Sequence, residues 1–312
     1  MTKPRILFMG TPAFAAPALE GLVRSGYPVI AVVTQPDRPQ GRGRTLAPPP
    51  VKVLAERLNL PVLQPEKIRH PDFLKTFRTL APDLVVVAAF GQILPGEIIH
   101  GPREGCINIH PSLLPKYRGA APINRALIRG EEVTGVTIMR MDEGVDSGDI
   151  LLQEETPIGP EESFGELHDR LAGMGTELLL KTLEMSADGT LLPRPQDHRL
   201  ATLAPRIGRE EGRIRWENGC REIVLLIRGL SPVPCACTFL YGKQLKIFTA
   251  GAEPATVAEA PGTVAGETAA TIRVAAGKGY VLLKEVQLEG KKRMPICDFL
   301  RGCPVVPGQI LG

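Results

Sequence analysis

Apolar and polar positions along the chain fall into two textures. In the first, unbroken apolar runs alternate with stretches of helical period. Residues 5–10, apolar after Arg5, predict a buried strand, 14–23 carry the spacing of an amphipathic helix, and 29–34 form a second apolar strand. A helix over 51–58, a short strand at 61–63 and a helix over 72–80 follow. The strand DLVVVAA at 83–89 shows no alternation, which fits burial on both faces. A strand at 106–110, a helix over 121–129, strands at 134–141 and 150–152, and a long amphipathic helix over 163–185 complete this part. Such alternation predicts an α/β fold, with a Rossmann-like, mostly parallel sheet, helices on both faces and right-handed crossovers.

The second texture begins after a proline-containing connector at 189–205. One helix, 221–228, is followed by short extended runs at 236–240, 244–249, 262–265, 271–275 and 280–288, with glycine-bearing turns between several of them. Short strands so punctuated predict a smaller β-barrel, OB-like in character. The expected division is a first domain over 1–189, a linker over 190–208 and a second domain over 209–312.

Composition adds little to this until charge is mapped along the chain. The 312 residues are 43% hydrophobic and 23% charged, enough to bury ordinary cores, and the net charge is only +3. Residues 1–204 hold 22 Lys and Arg against 24 Asp and Glu, whereas 205–312 hold 15 against 10. A basic second part points to a polyanionic partner, although surplus lysines on a solvated face give the same small excess. The six cysteines show neither a CxxC framework nor histidines at zinc-finger spacing, so reduced thiols and no metal are expected. No apolar run approaches the roughly 18 residues of a membrane span, and no charged-then-apolar leader precedes the first strand. A cytoplasmic protein without membrane contact is expected.

Candidate chemistry concentrates in CINIHPSLLPKYRGAAP, residues 106–122. Strand period two puts Asn108 and His110 on one side, just where the strand ends. In a doubly wound sheet the space outside the carboxyl ends of the strands is where ligands bind. A strand-end Asn and His also serve turn amides and carbonyls, and spacing alone leaves the two readings level. The loop at 142–149 carries Asp142, Asp146 and Asp149; they are turn formers, a Ca²⁺ site lacking the EF-hand ligand order, or the source of a carboxylate beside His110. Phe90, Gln92, Ile93 and Leu94 follow the central strand near the same edge. They could wall a flat heterocycle or simply punctuate the strand. Residues 35–50, QPDRPQGRGRTLAPPP, read as a mobile basic loop whose Arg38, Arg42 and Arg44 either close on phosphates or bases, or make a solvated excursion. Lys291, Lys292 and Arg293 follow the last strand and suit phosphates, while aromatic residues for stacking are scarce. The turn at 9–12 has neither GxGxxG nor GK[ST], so a dinucleotide site is not expected.

The string NIHPSLLPKYRGAAP resembles the signature of the formyltetrahydrofolate-dependent formyltransferases. RILFMGTPAFA, TQPDRPQGRGR, AFGQILP, MDEGVDSGDI and the closing GKKRM and DFLRG resemble, in order, the two-domain, tRNA-acting members of that family. Glycinamide ribonucleotide formyltransferases are similar around the catalytic strand but stop after one domain. The resemblance implies formyl transfer from 10-formyltetrahydrofolate, as cosubstrate, to the α-amine of initiator methionyl-tRNA by a monomer that needs no metal. It implies a catalytic trio of Asn108, His110 and Asp146, a folate stretch at Ser112, Leu113, Leu114 and Pro115, and Arg42 against the acceptor stem. Two departures lie in the second part: Pro232-Val233-Pro234-Cys235-Ala236 where a tryptophan-bearing turn is usual, and Arg215 before Trp216 where an aspartate is common. The alternatives are a sugar-nucleotide N-formyltransferase, which would accept a small amine, and a catalytically dead RNA-binding relative, which would not turn over folate.

Overall fold

The computed structural model describes residues 3–40, 45–268 and 270–312. It divides into two compact units, Met1–Gly119 with Val133–Pro157 and His168–Ala204, and Ala120–Glu132 with Ile158–Leu167 and Pro205–Gly312. The units are therefore not continuous in sequence, unlike the division at 189–209. Two pieces of the first 189 residues group with the C-terminal part: α5, as described below, and 158–167, where Arg228 Nε donates to Glu162 O at 3.1 Å and Arg228 Nη2 to Gly159 O at 2.8 Å.

The strands of the first unit are β1 (Ile6–Gly10), β2 (Val29–Val33), the short pair β3 (Arg38–Gln40) and β4 (Thr45–Ala47), β5 (Val62–Leu63), β6 (Leu84–Ala88), β7 (Cys106–His110), β8 (Val133–Arg140) and β9 (Ile150–Pro157). The helices are α1 (Ala16–Arg24), α2 (Pro50–Arg57), α3 (Pro71–Leu80), α4 (Gly96–His100) and, in the second unit, α5 (Pro122–Ile128); α6 (Phe164–Ala187) starts in the second unit and ends in the first. The main sheet runs β5-β2-β1-β6-β7-β8-β9. Its first five strands are parallel, and β8 and β9 pair antiparallel at one side. Every residue of β1 and β6 is buried, as strands covered on both faces require. One face packs Leu7, Met9, Val85 and Val87 against Phe73, Phe77 and Ile98. On the other, α6 comes close to β7 at Gly175, where a Cβ would stand 2.8 Å from Ile109 Cγ2. The direction of strand addition reverses between β1 and β6, the switch point at which open α/β sheets bind ligands.

The segment 35–50 is not wholly irregular, because β3 and β4 pair as a small antiparallel ladder. Its root is fixed by Asp37, whose carboxylate accepts from Gln64 Nε2 at 2.8 Å and pairs with Lys52 Nζ at 2.8 Å. The Gln64 hydrogen bond, then Lys52, hold the Asp37 carboxyl below the usual carboxylate range. Arg42 and Arg44 lie outside the described residues.

The second unit adds α7 (Cys220–Leu230), β10 (Ala236–Leu240), β11 (Lys243–Glu253), β12 (Val264–Glu267), β13 (Ile272–Ala275), β14 (Tyr280–Leu288), β15 (Met294–Pro295) and α8 (Ile296–Gly302). The sheet order is β10-β11-β14-β13-β12, with β15 on β14, and every pairing is antiparallel. Bulges in β11 bend the ladder between Ile247 and Ala250. The last residues link the outer strands: Val264 N donates to Gln309 O at 2.7 Å, Leu311 N to Gly262 O at 2.8 Å, and Gly312 N to Phe239 O on β10 at 3.2 Å. The barrel expected from the short strands is thus closed by an irregular tail, which has no strand pattern. The short β15 and α8, like α4, carry too little periodicity to be read from sequence. Ile223 and Ile227 of α7 pack in one core with Trp216, Leu245, Val274 and Val281. At Gly229 a Cβ would stand 2.6 Å from Ile128 Cγ1, so α5 lies directly on α7, and Asn124 Nδ2 donates to Gly229 O at 2.7 Å. Those contacts are why α5 belongs to this unit.

Candidate active site

The floor of the site is the row of carboxyl strand ends in the first unit. Gly10 ends β1 where a Cβ would stand 2.7 Å from Ala15 Cβ and 3.1 Å from Ala88 O, so the strand can turn only without a side chain. Thr11 Oγ1 donates to Phe90 O at 2.9 Å, and Gln35 Nε2 reaches the same carbonyl at 3.3 Å. These bonds tie the loops after β1, β2 and β6 into one rim.

β7 carries Asn108 and His110 to that rim. Asn108 pairs across to Val87 of β6 and Met139 of β8, and His110 to Thr137. His110 is only 4% exposed. Its Nε2 lies 2.9 Å from Tyr117 O. A carbonyl can only accept, so Nε2 carries the hydrogen. Nδ1 faces Asp146 Oδ2 at 3.6 Å, beyond direct hydrogen bonding, and is the nitrogen left for chemistry. The half-buried Asn108 carboxamide has no hydrogen-bond partner among the described residues. A polar amide and an imidazole edge therefore share one space with a carboxylate beside them.

The loop 142–149 divides its aspartates by role. Asp142 forms the turn, accepting from Ser147 Oγ at 2.8 and 2.9 Å and from Gly144 N at 3.1 Å. Asp146 has a left-handed φ of +48° and accepts from Gly119 N at 2.8 Å, which fixes its carboxylate beside His110. Gly148 lets the loop close, because a Cβ there would overlap Arg140 O. Gly148→Ala is expected to destabilise the first unit by about 1–3 kcal/mol through overpacking. Denaturant unfolding should show the lower midpoint, while an unchanged midpoint would mean the loop accommodates the methyl elsewhere.

Other residues named from sequence divide between surface and support. Ser112 is buried and its Oγ donates to Lys116 O at 2.7 Å, while Leu114 is buried against Met139 and Ile150. Their side chains shape the turn and are not open to a ligand; Leu113 and Pro115 are partly exposed. Phe90 and Leu94 are in the core. Gln92 Oε1 accepts from Ile68 N at 2.8 Å, pinning the neighbouring loop, whereas Ile93 is 75% exposed. Of this stretch, Ile93 is the side chain available to a flat ring. Arg38 is exposed and pairs with Glu66 at 3.5 Å. Lys291 and Lys292 are exposed, but Arg293 is held by Glu285 at 2.5 Å and lies 4.3 Å over the Phe248 ring.

Sequence reasoning missed the connector's part in the site. Tyr117 N donates to Thr202 Oγ1 at 2.9 Å, Arg118 N to Thr202 O at 2.9 Å, and Ala204 N to Arg118 O at 2.7 Å. Gln196 joins Arg118 to the Asp146 loop. These residues lie some 50–85 positions from their partners and follow no periodicity, so nothing local marks them. Among the described residues, no group of three or more His, Cys, Asp and Glu side chains is arranged to hold a metal, and no helix is long and apolar enough to cross a membrane.

The mostly parallel sheet followed by a separate antiparallel sheet is the fold of the formyl transferases. The chain matches the formyl transferase family over residues 4–183 and the formyl transferase C-terminal domain over 206–304, and it belongs to that family. It is 56% identical to the methionyl-tRNA formyltransferase of Syntrophus aciditrophicus, with 100% of both chains covered. It is 50% identical to that of Citrifermentans bemidjiense, over 100% of this chain and 98% of the relative. Within the family, these full-length likenesses put it among the methionyl-tRNA formyltransferases. Solved structures share the fold at lower identity. HypX from Aquifex aeolicus in complex with tetrahydrofolic acid aligns with a TM-score of 0.63 at 19% identity, over 100% of this chain and 51% of that one. An N-formyltransferase from Helicobacter canadensis in complex with folinic acid and dTDP-3-aminofucose aligns with a TM-score of 0.64 at 17% identity, over 89% and 98%.

Proposed function

We propose that this chain transfers the formyl group of 10-formyltetrahydrofolate to the α-amine of methionine on initiator methionyl-tRNA, in the cytoplasm and as a monomer. The observation that carries the chemistry is the buried His110, fixed at Nε2 by Tyr117 O with Nδ1 turned toward Asp146. The full-length relatives, named for methionyl-tRNA, carry the choice of acceptor over a sugar nucleotide.

The reaction forms a C–N bond between the amine and the formyl carbon and breaks the bond from that carbon to the folate N10. Between these events negative charge sits on the formyl oxygen. The unpartnered Asn108 carboxamide donates to that oxygen, and His110 Nδ1 donates a second hydrogen bond; such fixed donors stabilise charge that develops only during reaction. Asp146 Oδ2 lies 3.6 Å from Nδ1, so its negative charge faces the hydrogen that Nδ1 donates. His110 and Asp146 then help move the proton lost by the amine to the departing N10. Ile93, Leu113 and Pro115 present apolar surface for the folate ring or its linker. Arg38, Arg42 and Arg44 supply positive charge for the acceptor stem, and Lys291 and Lys292 for phosphates elsewhere on the tRNA.

The direct test is transfer of labelled formyl from 10-formyltetrahydrofolate to methionyl-tRNA, run beside dTDP-amino sugars. Label on the aminoacyl end supports this reading; label on the sugar amine with none on tRNA overturns the acceptor. Lys291→Ala and Lys292→Ala should each weaken tRNA binding and lower the slope of log affinity against log salt by roughly one if the lysine meets a phosphate. Filter binding over a salt series reads both, and an unchanged slope would remove that lysine from the interface.

A further inference from the structure

Gln196 lies in the connector and belongs to no helix or strand, yet it is only 6% exposed and every hydrogen-bonding site on its carboxamide is used. Its Oε1 accepts from Arg118 Nε at 3.2 Å and Arg118 Nη2 at 2.6 Å. Its Nε2 donates to Asp146 O at 2.9 Å and Gly148 O at 2.7 Å. One amide thus bolts together two loops that share no sequence neighbourhood. The first, 117–119, supplies both Tyr117 O, which orients His110, and Gly119 N, which orients the Asp146 carboxylate. The second carries Asp146 itself in a left-handed conformation that a non-glycine residue keeps only where surrounding contacts over-determine it.

We propose that Gln196 is a positioning residue for formyl transfer, acting through Asp146. This rests on the role given to His110 and Asp146 in the proposed function. The chemistry of an amide is what the position needs: an acceptor toward a guanidinium and a donor toward two carbonyls, which a carboxylate or an apolar side chain supplies only in part. With the amide removed, Asp146 O and Gly148 O lose their donor and the Asp146 carboxylate moves relative to His110 Nδ1. The site still binds both substrates, since Gln196 reaches neither the strand-end Asn108 nor the exposed rim.

The experiment is a double-mutant cycle on the full chain with Gln196→Met, which keeps side-chain length and removes the hydrogen bonds, and Asp146→Ala. Gln196→Met alone is expected to lower kcat by roughly tenfold to a hundredfold, the scale of an ångström-sized misplacement, with KM for folate and for methionyl-tRNA nearly unchanged. In the Asp146→Ala background the same substitution should cost almost nothing, because its effect passes through the missing carboxylate. Gln196→Glu keeps the acceptor for Arg118 and loses the donor, so it should be slow as well. Equal losses in both backgrounds, or a rise in KM at unchanged kcat, would overturn the positioning role while leaving the trio intact. A fall in activity that merely follows the folded fraction, read by unfolding under assay conditions, would overturn it too. Full activity of Asp146→Ala alone would overturn both this inference and the reading of the trio on which it stands.

Discussion

His110→Ala is expected to transfer formyl roughly 10²–10⁴-fold more slowly than the unaltered chain, the range in which a positioned proton donor and acceptor contributes. The substitution removes the imidazole whose Nδ1 faces Asp146 at 3.6 Å and whose Nε2 lies 2.9 Å from Tyr117 O. Because His110 is buried, the methyl side chain also leaves a cavity, so stability must be measured together with rate. Single-turnover kinetics on enzyme saturated with both substrates separates the two: the chemical step should slow while the folded fraction and folate binding persist. A chemical step within a few-fold of the parent would remove His110 from the reaction.

Asn108→Ala is expected to lower kcat by about 10²–10³-fold, equivalent to about 3–4 kcal/mol of lost transition-state stabilisation. Its carboxamide makes no hydrogen bond among the described residues, and it stands on a strand paired with β6 on one side and β8 on the other, so the amide is unoccupied. It differs from His110 in one testable way, because an amide does not titrate. The pH–rate profile of Asn108→Ala should therefore keep its shape at a lower height. An unchanged kcat with a raised KM for folate would recast Asn108 as a binding residue only.

The strands and helices with strong patterns were legible because burial writes its own period. β1 could be read as buried, β6, apolar at all five positions, as covered on both faces, and β7 put Asn108 and His110 on one side from alternation alone. The elements that escaped, β3, β4, α4, β15 and α8, span three, three, five, two and seven residues, so each offers little period to read. Within the site, Ser112, Leu114, Phe90 and Leu94 looked available because the sequence carries no record of which loop atoms are turned inward. Only their packing shows that they build the rim while Ile93 remains on its surface.

By itself the sequence determined the α/β and β architecture, the strand end that bears Asn108 and His110, and, through its motifs, the family. Those features depend on neighbours one to four residues apart, or on strings long enough to be distinctive. The tertiary structure decided which of three aspartates stands 3.6 Å from His110, which ring nitrogen is free, that Gln196 locks the loops together, and that a patternless tail closes the barrel. Apart from the Tyr117 contact, seven residues from His110, those facts depend on approaches between segments dozens to more than seventy residues apart. Such approaches are specified by the geometry of the folded chain, because donors and acceptors in loops are satisfied by whichever partner the packing brings within 3 Å.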